Sequence, residues 1–209
     1  MKLNYDKDYS DTFHSPGIDP WITGFLKGKS PKSVIDMGSG FGFTALLLRL
    51  YLGYDGYLVG LDISKNKMSK AKEFGLHDDL IVGDARKPPF KSEAFGALIS
   101  LEVLHSFSSE ALTFNERIVE GNGFLALALP CLPKNVSAKD LLHRKYDLYR
   151  FLLRGFVLVD LKNRKVLLAR SSPFFRAVKV ILRVLMPVLL LTGLLLKNGY
   201  FLVFKESHV

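Results

Sequence analysis

Short apolar runs alternate with amphipathic segments between residues 33 and 130. The runs predict strands at 33–38, 57–62, 79–83, 95–100 and 123–129, and the segments predict helices at 42–52, 64–75 and 108–120. Alternation of strand and helix at this period predicts a parallel sheet covered by helices on both faces. Pro88 and Pro89 interrupt the alternation, so the helix between the third and fourth strands is expected to be short or missing.

The pattern changes after residue 133. Apolar periodicity predicts a helix over Lys139–Arg154, ended by Gly155, followed by a sixth strand over Phe156–Leu161. The last strand is predicted at Tyr200–Lys205. In an alternative, Lys165–Arg170 is the last strand, paired with the sixth, and residues 171–209 form a free tail.

An apolar segment lies between the sixth and last strands, with cations along one predicted helical face: Arg176, Lys179 and Arg183. Pro187 is expected to kink or end this helix and to leave a second apolar segment. Ala177–Leu196 approaches the ~20 residues of a membrane span. A span is disfavoured because both ends would return to one sheet. The remaining interpretations are an amphipathic pair on an anionic membrane surface, a lid over the site and a dimer contact.

The first predicted strand ends in a loop with three alternating glycines, Gly38, Gly40 and Gly42, directly before a helix. Glycine allows a sharp turn and the close approach of a ligand to the backbone. The start of a helix offers unpaired N–H groups to an anion. The loop therefore predicts a nucleotide or a nucleotide-like cofactor.

Three acids stand near the ends of the first three predicted strands. Asp36 precedes the loop, Asp62 follows it by about twenty residues, and Asp84 ends the third strand. Asp62 and Asp84, each taken alone, are as well explained by a turn or a helix cap, and the alternative role of Asp36 is to anchor the glycine loop. Jointly they favour a ligand site, because the carboxyl ends of parallel strands meet at one edge of a sheet. The glycine spacing differs from the G-x-G-x-x-G of dinucleotide sites.

These motifs resemble those of the class I S-adenosylmethionine-dependent methyltransferases: the loop resembles motif I, and Gly83-Asp84-Ala85 resembles the "GD-A" motif. The resemblance implies an α/β, Rossmann-like three-layer sandwich with a seven-stranded, mostly parallel sheet and an antiparallel last strand. The apolar and basic helical insertion, at about 171–198, is additional to the family fold. S-adenosyl-L-methionine is the implied cofactor, and methyl transfer by direct displacement is the implied reaction.

The resemblance also implies residue roles. Asp62 would accept from the ribose hydroxyls, Asp84 from the adenine amino group, and Asp36 would reach the methionyl amino group, often through water. The implied cofactor-binding set is Asp36, Gly38, Ser39, Gly40, Gly42, Asp62, Ile63, Asp84, Ala85 and Leu101.

His105 follows the fourth predicted strand at the same edge of the sheet. It is a candidate general base for an acceptor hydroxyl or amine, and the alternative is a helix-capping role. The single cysteine, Cys131, excludes a disulfide framework, and the sequence contains no metal-ligand spacing.

A chain of 209 residues with 48% hydrophobic content predicts one α/β domain. We expect an N-terminal cap segment at 1–32, which holds Tyr9 and Phe13, and a single methyltransferase domain at 33–209. The first residues lack the apolar core of a secretory signal, which predicts a cytoplasmic protein. The insertion at 171–198 adds the expectation of peripheral attachment to a membrane.

The net charge of +9 is concentrated at one end, since residues 139–209 hold fourteen Lys/Arg and four Asp/Glu. Such a basic region favours an anionic partner, either a lipid surface, a nucleic acid or an acidic substrate. We expect a small-molecule or lipid-like acceptor. An RNA or protein methyltransferase is the first alternative, although Ser100-Leu101-Glu102-Val103 stands where an Asn-Pro-Pro-aromatic loop would signal base methylation. A non-catalytic S-adenosylmethionine-binding protein is the second.

Overall fold

The computed structural model describes residues 25–104, 108–129, 132, 135–152, 157–161, 163, 165–168, 173–191 and 201–206. The predicted division into a cap segment at 1–32 and a domain at 33–209 stays a prediction. Tyr9, Phe13, His105 and Cys131 lie outside the described residues.

The described strands and helices follow one another along the chain as the periodicity predicts up to residue 129. The strands are β1 Ser33–Met37, β2 Tyr57–Asp62, β3 Asp79–Val82, β4 Phe95–Leu101, β5 Val119–Leu129, β6 Asp147–Leu152, β7 Val157–Asp160, β8 Lys165–Leu168 and β9 Phe201–Glu206. The helices are α1 Phe43–Leu46, which continues as a π-helical turn over Leu47–Tyr51, α2 Lys65–Phe74, α3 Ser109–Arg117, α4 Ala138–His143 and α5 Pro173–Leu191. Between β3 and β4 the chain forms turns rather than a helix, as the two prolines predict.

All nine described strands form one sheet in the order β3-β2-β1-β4-β5-β9-β6-β7-β8. The first five strands are parallel, and β9 lies antiparallel between β5 and β6. The predicted fold class is confirmed. The expected number of seven strands is too low, because β6, β7 and β8 form an antiparallel extension at one edge.

The predicted helix over Lys139–Arg154 is wrong beyond His143. A capping box between Ser137 and Asp140 starts α4, and Lys145, with a φ of 64°, takes a left-handed conformation just after its end. The following residues pair with β9 as strand β6. Pairing across a sheet here overrides the helical periodicity of the leucines.

The alternative in which residues 171–209 form a free tail is also wrong. Lys165–Leu168 does form a hairpin with β7, but the chain returns to the sheet as β9. Phe201 at the start of β9 pairs with Leu129 of β5, so both ends of the insertion belong to one sheet.

Alternating side chains of the strands fill a core on each face of the sheet. On one face, β1 and β2 pack with the interior sides of α3, α4 and α5, through residues that include Ile35, Met37, Leu112, Leu141 and Met186. On the other face they pack with α1 and the π-helical turn, through residues that include Val34, Ala45, Leu48, Leu58 and Ile99. The result is a three-layer arrangement.

Helix α5 runs through Pro187 to Leu191, so the predicted end of the helix at this proline is wrong, and the alternative of a kink stays a prediction. Proline removes the hydrogen bond to the carbonyl of Arg183, and both residues lie on the exposed side, where water can hydrate that carbonyl. Leu182, Met186 and Leu189 face the core. Among the helices of the described part, none is long and apolar enough to cross a membrane.

Candidate functional site

The glycine loop after β1 is built from left-handed backbone conformations. Gly38, Gly40 and Gly42 have φ values of 80°, 54° and 92°. A Cβ on Gly38 would lie 2.2 Å from Cγ2 of Val103, whereas one on Gly40 would meet only the Gly38 carbonyl oxygen, at 4.0 Å. Gly38 is therefore required by the packing beneath the loop, and Gly40 leaves open space beside it.

Backbone donors of the loop tie it to the end of β2. The N–H groups of Gly38 and Ser39 both donate to the Leu61 carbonyl, at 2.7 and 3.0 Å. The Gly40 N–H donates to Oδ2 of Asp62 at 3.0 Å. Ser39 is buried, and its hydroxyl lies 3.3 Å from Sδ of Met68 in α2. The loop thus has a fixed shape.

Asp62 links the loop to the start of α2. Its second oxygen, Oδ1, accepts from the N–H of Ser64, the N-cap residue of that helix, at 2.8 Å. A carboxylate has lone pairs for about four hydrogen bonds, so both oxygens can still accept from a ligand. Ile63 beside it is 68% exposed and offers an apolar surface at the same edge of the sheet.

Asp84 is held by Arg86. The Arg86 side chain donates to both carboxylate oxygens at distances from 2.6 to 3.0 Å, and its backbone N–H donates to Oδ1 at 2.9 Å. These hydrogen bonds lower the pKa of Asp84 and keep it ionised. The pair lies on the surface, so Arg86 can swing aside for a ligand.

The backbone at Ala85 is held by a hydrogen bond from Asn115 of α3. Its carbonyl accepts from Nδ2 of Asn115 at 2.8 Å, and the same nitrogen donates to the Ala111 carbonyl within α3. Asn115 is fully buried. Neither Arg86 nor Asn115 was predicted as a site residue. The arginine two residues after Asp84 was a visible signal, whereas the asparagine had none.

Asp36 forms a buried pair with His77. Nε2 of the histidine lies 3.2 Å from Oδ2 of the aspartate, and each side chain is 1% exposed. Within the described part of the chain, Oδ1 of Asp36 and Nδ1 of His77 have no hydrogen-bond partner. His77 lies in the loop between α2 and β3, and no motif in the sequence singles it out.

Leu101, at the end of β4, is half-buried and packs against the core on the α1 side. The sheet order places the ends of β3, β2, β1 and β4 side by side, so Asp84, Asp62, the glycine loop and Leu101 share one edge. Direct contacts join the loop to Asp62. The structure does not describe His105, so its place relative to this edge stays a prediction.

The residues at this edge fit S-adenosylmethionine. The open space beside Gly40 lets a ligand approach the backbone. Among the described residues, Oδ1 of Asp36 is a buried acceptor without a partner. The carboxylates of Asp62 and Asp84 offer acceptors for hydroxyl and amino donors. Among the residues that the structure describes, no group of three or more His, Cys, Asp or Glu side chains could hold a metal ion.

Comparison with known proteins identifies the family of the parallel part of the sheet. Residues 35–127 match the family model described as a methyltransferase domain. A tRNA (carboxymethyluridine(34)-5-O)-methyltransferase of Saccharomyces cerevisiae is 34% identical over 104 residues, which cover 48% of this chain and 34% of that protein. A malonyl-[acyl-carrier protein] O-methyltransferase of Legionella pneumophila is 31% identical over 101 residues, covering 46% of this chain and 35% of that protein. The chain spans about a third of the length of these two relatives.

The fold has solved counterparts. The crystal structure of an S-adenosylmethionine dependent methyltransferase from Mesorhizobium loti covers 90% of this chain, and this chain covers 96% of that one, with a TM-score of 0.52 and 14% identity. At that identity the likeness concerns the fold alone. The family match, the sheet and the glycine loop together show that residues 35–127 belong to the class I S-adenosylmethionine-dependent methyltransferases.

Proposed function

We propose that the whole chain is an enzyme that methylates a small-molecule or lipid-like acceptor. When bound, S-adenosylmethionine supplies a methyl group on a sulfonium, which the acceptor atom displaces. Holding the two reactants in line can supply roughly 7–11 kcal/mol of the barrier, so the protein's contribution is mostly positional. The observation that carries the acceptor class is the outward face of α5.

The cofactor roles that we propose follow the geometry of the loop. Asp62 accepts from the ribose hydroxyls, and Asp84 accepts from the adenine amino group once Arg86 has moved aside. Asp36 accepts from the amino group of the methionyl part. The remaining cofactor contacts come from Gly38, Ser39, Gly40, Gly42, Ile63, Ala85 and Leu101.

The outward face of α5 carries several exposed apolar side chains among the described residues. Its members Val180, Ile181, Val184 and Leu191 are all exposed, Val184 by 73% and Leu191 by 86%. Exposed apolar patches of this kind mark contact surfaces. The side opposite this face packs on the core, so the helix is fixed in place.

Cations flank this apolar face. Lys179 is half-buried and Arg183 is exposed, one turn apart along the helix. An apolar face bordered by basic residues is the arrangement of helices that lie on anionic bilayers. Each cation near such a surface contributes about 1 kcal/mol. These features support peripheral attachment at the cytoplasmic face of a membrane, where a lipid-like acceptor would be found.

A second candidate acceptor is RNA, favoured by a different surface. Four exposed lysines, Lys65, Lys67, Lys70 and Lys72, lie on α2, which begins three residues after Asp62. Nζ of Lys67 and of Lys70 lie 5.7 and 5.4 Å from the ring centre of Phe41 in the glycine loop. Lysines at the edge of a cofactor site can bind phosphates, and the Saccharomyces cerevisiae relative is a tRNA methyltransferase.

Transfer of a labelled methyl group tests these acceptors. The protein is incubated with methyl-tritiated S-adenosylmethionine and, separately, with lipid extract, bulk tRNA and protein extract. Label in the organic phase is the expected result. Label in the tRNA would contradict the proposed acceptor in favour of RNA. Cofactor binding without transfer to any of the three would favour the non-catalytic alternative.

Sedimentation with phosphatidylglycerol vesicles tests the membrane contact. We expect retention at low salt and release of much of the protein at high salt. Changing Arg176, Lys179 and Arg183 together to Gln should abolish retention, as should the pair Val180→Gln and Val184→Gln.

Two control variants match these changes. The first control changes Lys65, Lys67 and Lys70 to Gln, which removes three cations from α2, the same number that the triple variant of α5 loses. The second control, the pair Leu50→Gln and Tyr51→Gln, alters exposed apolar side chains outside α5. Neither should reduce retention by vesicles. If the wild-type protein does not bind vesicles at low salt, the membrane contact is wrong. The remaining roles for α5 are then a lid over the site and a dimer contact, and light scattering tests the dimer contact.

A further inference from the structure

The buried pair of His77 and Asp36 lies next to the glycine loop, since Asp36 precedes the loop in β1 and the His77 ring lies beside Gly42 at its end. Nε2 of His77 is the donor available to Oδ2 of Asp36, at 3.2 Å, and both side chains are shielded from water. Asp36 belongs to β1 and His77 to the loop before β3, so the contact joins segments 41 residues apart. The ring is held in place by more than this hydrogen bond.

Two glycines provide the space that the ring occupies. A Cβ on Gly60 of β2 would lie 2.9 Å from Cδ2 and 3.0 Å from Nε2 of His77. A Cβ on Gly42 would lie 3.4 Å from Cε1 of the same ring. The imidazole is therefore packed between β2 and the end of the glycine loop, and its orientation is fixed.

The pair leaves one carboxylate oxygen unused. Oδ1 of Asp36 is buried and, among the described residues, has no hydrogen-bond partner. A buried acceptor without a partner costs about 1–3 kcal/mol, and more when it is charged. Such a cost is recovered when a cationic donor binds to that oxygen.

We propose that His77 is a positioning residue that acts through Asp36 on the amino group of the cofactor. By holding Oδ2, the imidazole fixes the rotation of the carboxylate and keeps Oδ1 available to the ammonium group of the methionyl moiety. This inference rests on the proposed cofactor roles and adds a residue that lies outside the glycine motif. A carboxylate that is already oriented binds its donor more tightly than one that must be ordered.

Two ligands that differ in the amino-acid part test the inference. S-adenosylhomocysteine carries the ammonium group, and 5′-methylthioadenosine keeps the nucleoside but lacks it. Their affinities are measured by calorimetry for the wild-type protein and for His77→Leu, His77→Gln, Asp36→Asn and the double variant His77→Leu with Asp36→Asn. Thermal melting establishes that each variant is folded.

We expect His77→Leu to weaken S-adenosylhomocysteine by about tenfold while 5′-methylthioadenosine changes by less than about twofold. His77→Gln keeps an N–H donor and should recover most of the affinity. In the Asp36→Asn background, His77→Leu should have little further effect, because both changes act on the same contact.

Equal losses for both ligands would overturn the inference, since they would mean that His77 only supports the loop. Additive losses in the double variant would also overturn it. If His77→Leu does not fold, His77→Ala, which also removes the donor, takes its place: an unaltered preference for S-adenosylhomocysteine in the folded His77→Ala protein refutes the role. A wild-type protein that binds neither ligand would contradict the proposed function itself, and this inference with it.

Discussion

The N–H of Gly40 donates to Oδ2 of Asp62 across 3.0 Å, so the loop after β1 is fastened to the acid that ends β2. Asp62 is the last residue of β2, and Gly40 lies in the loop after the neighbouring parallel strand β1. The same carboxylate also accepts from the N–H of Ser64, the N-cap residue of α2. The ribose-binding carboxylate that we propose is therefore oriented before any ligand arrives.

Removing this carboxylate should weaken cofactor binding. A hydrogen bond to a charged group contributes about 1.5–3 kcal/mol, so Asp62→Ala should bind S-adenosylhomocysteine at least about tenfold more weakly. Stability should also fall, because the N–H groups of Gly40 and Ser64 lose their acceptor. Calorimetry and thermal melting measure the two effects, with Glu73→Ala on the exposed side of α2 as the control. Unchanged affinity in Asp62→Ala would refute the ribose role.

The loop glycines should differ in what an added methyl group disturbs. Gly38→Ala forces a Cβ into Val103 and retains a positive φ, so we expect a loss of at least about 2 kcal/mol in the free energy of unfolding. Gly40→Ala meets open space and should cost only about 1–2 kcal/mol. The affinity of Gly40→Ala for S-adenosylhomocysteine should fall, because the added methyl group occupies the space beside the loop backbone. Urea unfolding and calorimetry separate these outcomes, and full affinity in Gly40→Ala would count against the proposed approach of the ligand.

Two tyrosines predict how stability depends on pH. Burial raises the pKa of Tyr146 well above its usual value, and burial raises the pKa of Tyr54 to about 12. Since a tyrosine in the unfolded chain titrates near 10, the stabilisation from the neutral rings is complete below about pH 10. It is lost as the pH rises above that value, because the unfolded state then releases protons that the folded state retains.

Urea unfolding between pH 8 and pH 11 measures this loss. Tyr146→Phe should be less stable than the wild type at pH 8, because the hydroxyl donates to Oε1 of Glu116 at 2.6 Å. Its stability should then fall less steeply above pH 10. Tyr51→Phe, at an exposed position, should retain the wild-type slope. Parallel slopes for Tyr146→Phe and the wild type would show that this ring does not cause the loss.

His105 gives a kinetic prediction that rests on the sequence. If it is the general base, His105→Gln should lower turnover with little effect on cofactor affinity, and the pH profile of the rate should lose a limb near neutrality. Proportional losses of stability and turnover would indicate a structural role instead.

The sequence allowed the first half of the fold to be predicted well. Strong apolar runs and capped helices alternate up to Leu129, and the glycine loop and Asp62 signal the ligand edge of the sheet. The second half was harder because local and tertiary preferences conflict there. Leu148 follows a helical periodicity but is buried within β6, where pairing with β9 determines its conformation.

Two other features could not be inferred from local pattern. Pro187 normally ends a helix, yet α5 continues past it because the affected turn faces solvent. His77 has no motif, and its importance arises only when folding brings it against Asp36, Gly42 and Gly60. Contacts between residues distant in sequence are not encoded in spacing.

Calorimetric titration of the purified chain with S-adenosylhomocysteine, and in parallel with NAD, tests the assignment of the cofactor. We expect one S-adenosylhomocysteine bound per chain and no binding of NAD. Absence of S-adenosylhomocysteine binding by folded protein, or tighter binding of NAD, would contradict it.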